Sequence, residues 1–333
     1  MRERHVTLAH GNGGRLMREL IDEVFVAALG NPLLDTAVDA AVLAVPAGRD
    51  LVVTTDGFTV QPLEFPGGDI GSLAVHGTVN DLAVSGATPR YLTLNVFLEE
   101  GLEVVLLKRV MESFGRAARE CGVAVVAGDT KVVRRGDCDG LYLATTGIGF
   151  KSPETLLALN RIRTGDRVLV TGPIGDHGAA VMLAREEFGF RCDLRSDAAC
   201  VLPQAQALMA IPGLRFMRDP TRGGLATVAH EIARGANLTV HLTEQCIPVQ
   251  DAVQSVCELL GFDPMYLACE GRVVAVIAAE CAERALAAVS AVAPRSALIG
   301  EVVPGRPEVI LATSFGGLRL LDELEDDPLP RIC

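Results

Sequence analysis

Four aspartates stand where strands or helices hand over to loops: Asp39, Asp56, Asp81 and Asp129. Asp56 ends the run VVTTD, Asp129 ends VAVVAGD, and Asp81 lies in HGTVNDLAVSG. A strand end presents a carboxylate into a cleft, and several hard oxygen ligands converging there suit Mg²⁺. Each alone has the ordinary role of a cap or turn residue. Four in one half of the chain, beside glycine-rich loops, make a metal–nucleotide site the expectation. Gly11, Gly13 and Gly14 in AHGNGGRL permit close backbone approach and lead into a helix, whose amino terminus attracts phosphate. His76 and Asn80 are four apart and share a helix face next to Asp81. Lys131 follows Asp129 within GDTK, so a cation lies beside a carboxylate. In the second half, RDPTRGGL (218–225) gathers Asp219, Thr221 and Arg222 ahead of a helix. Glu270 interrupts an apolar stretch in ACEGR, as a turn residue or as a buried acid with a perturbed pKa.

The nine cysteines divide unequally. Cys121, Cys138, Cys192, Cys200, Cys246, Cys257, Cys269 and Cys281 are scattered, with no C-x-x-C pair and no zinc-finger spacing. Most sit in apolar or helical surroundings, where a thiol behaves as a small hydrophobe. The ninth, Cys333, is the last residue. It is either a frayed terminal thiol or a nucleophilic or carrier thiol on a movable arm. Pro328 and Pro330 stiffen that arm, the acidic residues of 322–327 keep it solvated, and Arg331 could dock it. A C-a-a-X lipid signal is excluded, because it needs the cysteine fourth from the end.

Composition narrows the partners. Thirty Lys and Arg against 42 Asp and Glu give a net charge of −12, which argues against a nucleic-acid or anionic-membrane surface. Eleven Phe, three Tyr and no Trp leave few platforms for stacking bases. A hydrophobic content of 49% is ample for a packed core. No run reaches the roughly 18 apolar residues of a spanning helix. The amino end lacks the apolar core of a secretory signal. With reduced thiols, these features point to the cytoplasm. There is no G-x-x-x-x-G-K-[ST], and TGPIGDHG (171–178) follows a strand but has its glycines three apart, so neither a P-loop nor a dinucleotide fingerprint is present.

The elements that must position these residues follow from periodicity. Leu16, Leu20, Val24 and Ala28 mark a first helix, widened by Met17, Ile21 and Phe25. Alternating stretches at 41–45 and 51–56 read as strands, with Pro46 and Gly48 marking the turn between them. A helix is expected from about Gly71 to Val84, a strand near 91–98, a helix carrying Val104, Leu107, Met111, Phe114 and Ala118, and a strand over 123–129. Lys131 to Phe150 reads as a strand pair around RRGDCDG. The pattern weakens between Lys151 and Gly165 before a fresh strand at 166–172, and the second unit alternates strands and helices as α/β or α+β layers do. At roughly 100–200 residues per domain, 333 residues suit two units. The expected division is 1–155, 156–315 and a tail of 316–333.

Taken in order, HGNGGRLMRELI, TTDGFTVQPLEFPGGDIGSLAVHGTVNDLAVSGATPRYL, GDTKVV, TGPIGDHGAA, RDPTRGGL, ACEGR and PRIC span nearly the whole chain. This series resembles the HypE family of hydrogenase expression/formation proteins, within the ATP-using aminoimidazole ribonucleotide synthetase (PurM-like) superfamily. Asn12 replaces a common family glycine, and Asp39 stands alone where relatives often have paired aspartates. The resemblance implies a PurM-like fold whose amino-terminal sheet domain forms a dimer core and whose second domain is an α/β sandwich. It implies ATP in the cleft, with Gly11, Gly13, Gly14, Asn80, Asp219, Thr221 and Arg222 around it and Mg²⁺ on Asp39, Asp56, Asp81 and Asp129. The implied reaction is dehydration of a carbamoyl group on Cys333 to a cyanide, with Glu270, His76 and Lys131 as its other catalytic residues. A HypF-like carbamoyltransferase and a HypC–HypD-like iron-carrying complex are the implied partners. A selenophosphate synthetase or thiamine-phosphate kinase of the same superfamily, and a non-catalytic thiol carrier, are the alternatives. The first cysteine here is Cys121, whereas a selenophosphate synthetase usually carries its reactive residue near the amino end.

Overall fold

The computed structural model describes residues 3–185, 193–325 and 331–332. Cys192 and Cys333 lie outside the described residues. A 3₁₀ turn at Leu8–Gly11 leads into α1 (Arg15–Leu20), which runs on through a π-helical stretch, Ile21–Val26, into α2 (Ala27–Leu29). The predicted amphipathic helix is thus one continuous rod, with Leu20, Val24, Phe25 and Ala28 buried. Then follow β1 (Asp50–Phe58), the two-residue strands β2 (Glu64–Phe65) and β3 (Gly68–Asp69), α3 (Ile70–Val84), β4 (Thr88–Glu99), α4 (Val104–Glu120), β5 (Ala124–Val133) and β6 (Leu141–Lys151). The sheet order is β1-β6-β4-β5. Only β4 and β5 are parallel, because α4 crosses between them.

The expected strand at 41–45 does not form. Residues 37–49 lack strand structure, and Val42 is 94% exposed. The stretch has the alternation of a strand but no neighbour to satisfy its backbone, and β1 pairs with β6 instead.

α3 is what positions the site. Asp69 caps it by accepting the Gly71 and Ser72 N–H groups. The helix is apolar around most of its circumference, as one buried on several sides must be. It packs on β1 and β6, on α4, and on the second domain through Ala83 and Val84.

The second domain contains β7 (Arg167–Val170), α5 (Asp176–Arg185), α6 (Leu202–Met209), β8 (Leu214–Arg218), α7 (Gly224–Ala236), β9 (Thr239–Thr243), α8 (Asp251–Leu260), β10 (Val274–Ile277), α9 (Ala282–Ser290), β11 (Ala297–Val303), β12 (Val309–Ala312) and β13 (Leu318–Leu320). They form a seven-stranded sheet in the order β13-β12-β9-β11-β7-β10-β8. Every residue of β10 is buried, since α7 covers one face and α6 with α9 the other. Residues 318–320, expected in the tail, extend this sheet by pairing β13 with β12. Among the described residues, no helix is long and apolar enough to cross a membrane.

Candidate functional site in the interdomain cleft

The cleft between the domains collects carboxylates from both. Asp56 comes from β1, Asp81 from α3, Asp219 from just past β8, and Glu270 from the ACEGR loop before β10. The Thr54 hydroxyl donates to Asp81 Oδ2 at 2.7 Å, fixing that side chain between β1 and α3. Burial and the nearby Asp81 charge raise the Asp56 carboxyl, opposed by the Gly57 N–H and by Arg222. Burial, with Asp81 and Asp56 adding repulsion, pushes Asp219 up to about 7. Glu270 is 2% exposed, and its Oε1 has no hydrogen-bond partner. Burial first, then the charges of Asp219, Asp197, Asp56 and Asp81, drive it well above the carboxylate range. Repulsion of this kind is what a divalent cation relieves, and one or two such carboxylates suit Mg²⁺ when substrate phosphates and water complete its shell.

Asn80 differs from its expected role. Its Nδ2 donates to the carbonyls of Ala199 (3.0 Å) and Glu270 (3.1 Å), and its Oδ1 accepts the Val201 N–H at 2.8 Å. The amide is consumed in tying α3 to the second domain, so Asn80 holds the backbone of Glu270 and is not free to meet a nucleotide. His76, one turn earlier, has a buried Nδ1 without a partner, and burial lowers its pKa to about 4, so the ring is neutral. Thr221 and Arg222 lie in the turn that starts α7. That turn needs Gly224 at φ +58°, because a Cβ there would lie 2.5 Å from the Leu267 carbonyl oxygen and 2.7 Å from that of Met265.

The remaining expected residues lie elsewhere. Asp129 and Lys131 are on β5, pairing with Asn95 and Phe97. Asp56 lies on β1, in register with Thr145. Between β1 and β5 are three strand spacings, about 14 Å. Alternation also puts Asp129 and Lys131 on the sheet face opposite α3. The four aspartates therefore do not converge within one chain. No group of three or more His, Cys, Asp or Glu among the described residues is arranged around a metal position. Asp129 instead pairs with Lys131 at 2.6 Å, which lowers its pKa. With the exposed Asp39 it lines a cavity of about 550 Å³ closed by Met17, Phe25 and Leu33. Gly11 packs on Val132 at this same edge, while Gly13 and Gly14 face open space.

Residues that periodicity and motif spacing passed over complete the cleft. Asp197 accepts the Glu270 and Gly271 N–H groups, both at 3.2 Å. Arg272 bridges Asp197 (3.4 Å) and Asp176 (3.1 Å), and its Nε donates to the Pro173 carbonyl. Burial and Asp197 raise the Asp176 pKa. His177, from TGPIGDHG, places Nδ1 2.8 Å from Ser196 Oγ and Nε2 2.7 Å from the Ile332 carbonyl oxygen. Ile332 is 3% exposed and packs in the core of the first domain. Arg331 pairs with Asp139, and its carbonyl accepts from Arg185 (2.7 Å) and from the Gln61 N–H (3.3 Å). Residues 331–332 are thus seated in the interdomain seam. Arg331, expected to dock the tail, does pair with Asp139, whereas His177 gave no signal in the sequence beyond lying in a glycine-rich loop.

The fold and cleft define a class, and the comparisons agree with it. Residues 37–150 match the family model of the AIR synthase related protein N-terminal domain, and 163–312 match that of the C-terminal domain. The chain is 46% identical to carbamoyl dehydratase HypE of Azotobacter vinelandii, covering 100% of this chain and 98% of the relative. It is 44% identical to that of Escherichia coli K12, covering 99% of each. A crystal structure of hydrogenase maturation protein HypE in complex with ATP superposes with a TM-score of 0.94 at 43% identity, over 98% of this chain and 99% of that one. HypE in a crystal structure of the HypE–HypF complex superposes with a TM-score of 0.80 at 42% identity, over 92% and 99%. A thiamine-monophosphate kinase from Stenotrophomonas maltophilia, 23% identical with a TM-score of 0.67, shares the fold. The chain is therefore a two-domain AIR synthase related protein. Within that class it belongs to the HypE family of carbamoyl dehydratases.

Proposed function

We propose that this chain is an ATP-dependent carbamoyl dehydratase of hydrogenase maturation whose own Cys333 carries the substrate. The observation that favours Cys333 as the reacting thiol is the seating of Ile332, its neighbour, on His177, whose ring also meets Ser196 next to the Asp197 that holds the Glu270 backbone. A carbamoyl thioester, R–S–C(=O)NH₂, cannot lose hydroxide from its carbonyl carbon. Transfer of the γ-phosphoryl group of ATP to the carbonyl oxygen converts that oxygen into a phosphate leaving group. The C–O bond then breaks, both N–H protons leave, and R–S–C≡N, ADP and phosphate result, with net release of one proton.

Glu270 suits the proton transfers, because its carboxyl is buried, its Oε1 has no hydrogen-bond partner, and burial, aided by the neighbouring acids, favours its protonated form. His76, neutral at working pH, is the second candidate. Lys131 and the amides around Gly13 and Gly14 would offset charge on the transferring phosphoryl group. Asp56 and Asp81, with Asp219 beside them, would hold Mg²⁺, which supplies charge neutralisation of the phosphates when bound. Holding the substrate on the enzyme's own tail supplies the proximity term.

The same reading includes a homodimer. Leu51 and Val53 on β1 and Phe97 on β4 are exposed on the sheet face that no helix of the described residues covers. Lys131 and Asp129 belong to that face, so a second copy closing over it would join the glycine-loop edge of one chain to the cleft of the other. A HypF-like carbamoyltransferase would load the thiol. A HypC–HypD-like iron-carrying complex would accept cyanide for the metal centre of a nickel–iron hydrogenase, in the cytoplasm.

Mass spectrometry of the carboxy-terminal peptide tests the chemistry. After incubation with the carbamoylating partner, carbamoyl phosphate and ATP, a carbamoyl adduct on Cys333 should convert to a cyanide adduct. Conversion should require hydrolysable ATP and be absent from Cys333→Ala. An adduct on another residue, or none, overturns the assignment.

A further inference from the structure

TGPIGDHG matches no nucleotide fingerprint, yet its histidine is fully buried in the seam. A carbonyl oxygen only accepts hydrogen bonds, so the 2.7 Å contact to Ile332 requires the proton on His177 Nε2. Nδ1 is then the acceptor, and the Ser196 hydroxyl donates to it at 2.8 Å. Ser196 Oγ in turn accepts the Ala198 N–H (3.0 Å), and the Ser196 N–H donates to the Pro66 carbonyl (2.8 Å). Phe65 meets the imidazole edge to face with centroids 5.4 Å apart, which fixes the ring plane. The next residue, Asp197, holds the backbone of Glu270 and Gly271. One hydrogen-bonded path therefore runs from the last carbonyl before Cys333, through His177 and Ser196, to the segment that orients Glu270.

We propose that His177 is a positioning residue: its Nε2–H sets the carbonyl one residue before Cys333, and Ser196 couples that seat to the loop holding Glu270. The proposal rests on the reading that Cys333 carries the reacting group. His177 does not touch that group. It determines where the group stands and how often the tail is home. Without the donor, the Ile332 carbonyl would be buried without a partner, and the docked tail would give way to an exposed one.

The test uses full-length protein in three forms: wild type, His177→Ala and His177→Gln, whose side-chain amide can still donate near the Nε2 position. S-carbamoylated protein is isolated, ATP is added, and conversion of carbamoyl to cyanide on the terminal peptide is followed by mass spectrometry. In parallel, iodoacetamide alkylation of Cys333 reports its accessibility, and titration calorimetry reports ATP affinity. His177→Ala should slow conversion by about tenfold or more, raise the Cys333 alkylation rate several-fold, and leave ATP affinity within twofold. His177→Gln should recover most of both changes, which a purely structural role of the ring would not allow. Wild-type conversion and alkylation rates in His177→Ala, or no recovery in His177→Gln, overturn the proposal. If wild-type protein never acquires a carbamoyl or cyanide adduct, the reading of Cys333 fails separately, and the alkylation arm still judges the latch. Should His177→Ala not fold, Ser196→Ala keeps the ring and removes the hydroxyl that holds Nδ1. It should move both rates in the same direction to a smaller extent, and wild-type rates in it overturn the proposal.

Discussion

Asn80 Nδ2 lies 3.1 Å from the backbone carbonyl of Glu270, joining the middle of the first domain's central helix to the ACEGR loop of the second. The same side chain also binds Ala199 and Val201, so three backbone groups of the second domain depend on one amide. Asn80→Ala leaves them buried without that partner, at a cost of about 3 kcal/mol. The domains should loosen before either core unfolds. Thermal melting should shift downward, and hydrogen exchange at Ala199 to Val201 should rise first. Unchanged exchange there would mean that the loop is held by other contacts.

Glu270→Gln separates proton transfer from packing. Glutamine keeps the shape of the protonated acid and has no charge to bury, so folding stability should hold or rise. Conversion of the S-carbamoyl group should fall by about 10²-fold or more. Because the Glu270 pKa is raised in the folded state, its favourable contribution is present below the unfolded value and is lost as pH rises through the folded one. The wild-type protein without nucleotide should therefore lose stability with rising pH more steeply than Glu270→Gln.

How much of this was legible in the sequence depends on how local each signal is. The first helix and α4 declare themselves by period, because the residues that repeat are those that touch the core. The stretch at 41–45 alternates as a strand does, but alternation carries no information on whether a neighbouring strand exists. Asp56 and Asp129 look equivalent as strand-terminal acids. The order β1-β6-β4-β5 separates them, and strand order is a long-range property. The 193–201 segment has no periodicity and forms no helix or strand before α6, yet it supplies Ser196 and Asp197. Its role is set by what it lies against.

Asp219 predicts a further pH slope, and its own variant isolates that residue's share. Its folded pKa of about 7 exceeds the ordinary value of 3.8, so folding favours the protonated acid. That advantage is full below pH 4 and is lost as pH rises to about 7, a difference of about 4 kcal/mol. Denaturant titrations of the protein without nucleotide should show stability falling across this window. Asp219→Asn should flatten the slope, and an unchanged slope in that variant would assign it to another acid.

Mg²⁺ should act in the opposite sense. An ion beside Asp56 and Asp219, whose carboxyls burial raises, favours their charged forms, so it binds better as those two lose protons. Added Mg²⁺ should raise the melting temperature more at pH 8 than at pH 5. The gain should be reduced in Asp81→Asn, whereas Asp39→Asn, at the far edge of the sheet, should retain it in the isolated chain. Equal loss in both variants would show that the two edges share one ion, as they would in a dimer that joins them.

Arg272 makes the last case, because it neutralises two buried acids at once. Its side chain is 17% exposed, whereas those of Asp176 and Asp197 are 2% and 0% exposed. Removing one partner of a buried pair leaves an uncompensated charge, at about 3–5 kcal/mol. Arg272→Met should therefore destabilise the protein strongly at pH 8 and less at pH 5, since burial already raises Asp176, which can then take up a proton. Adding Asp176→Asn to Arg272→Met should restore part of the lost stability, since it removes one of the two stranded charges. It should not restore conversion of the S-carbamoyl group, because Asp197 would still lack the cation that helps set its carboxylate beneath the Glu270 and Gly271 N–H groups. Stability measured by denaturant titration at both pH values, alongside conversion measured by mass spectrometry, separates the two effects. Recovery of both together would make Arg272 a purely structural counter-ion.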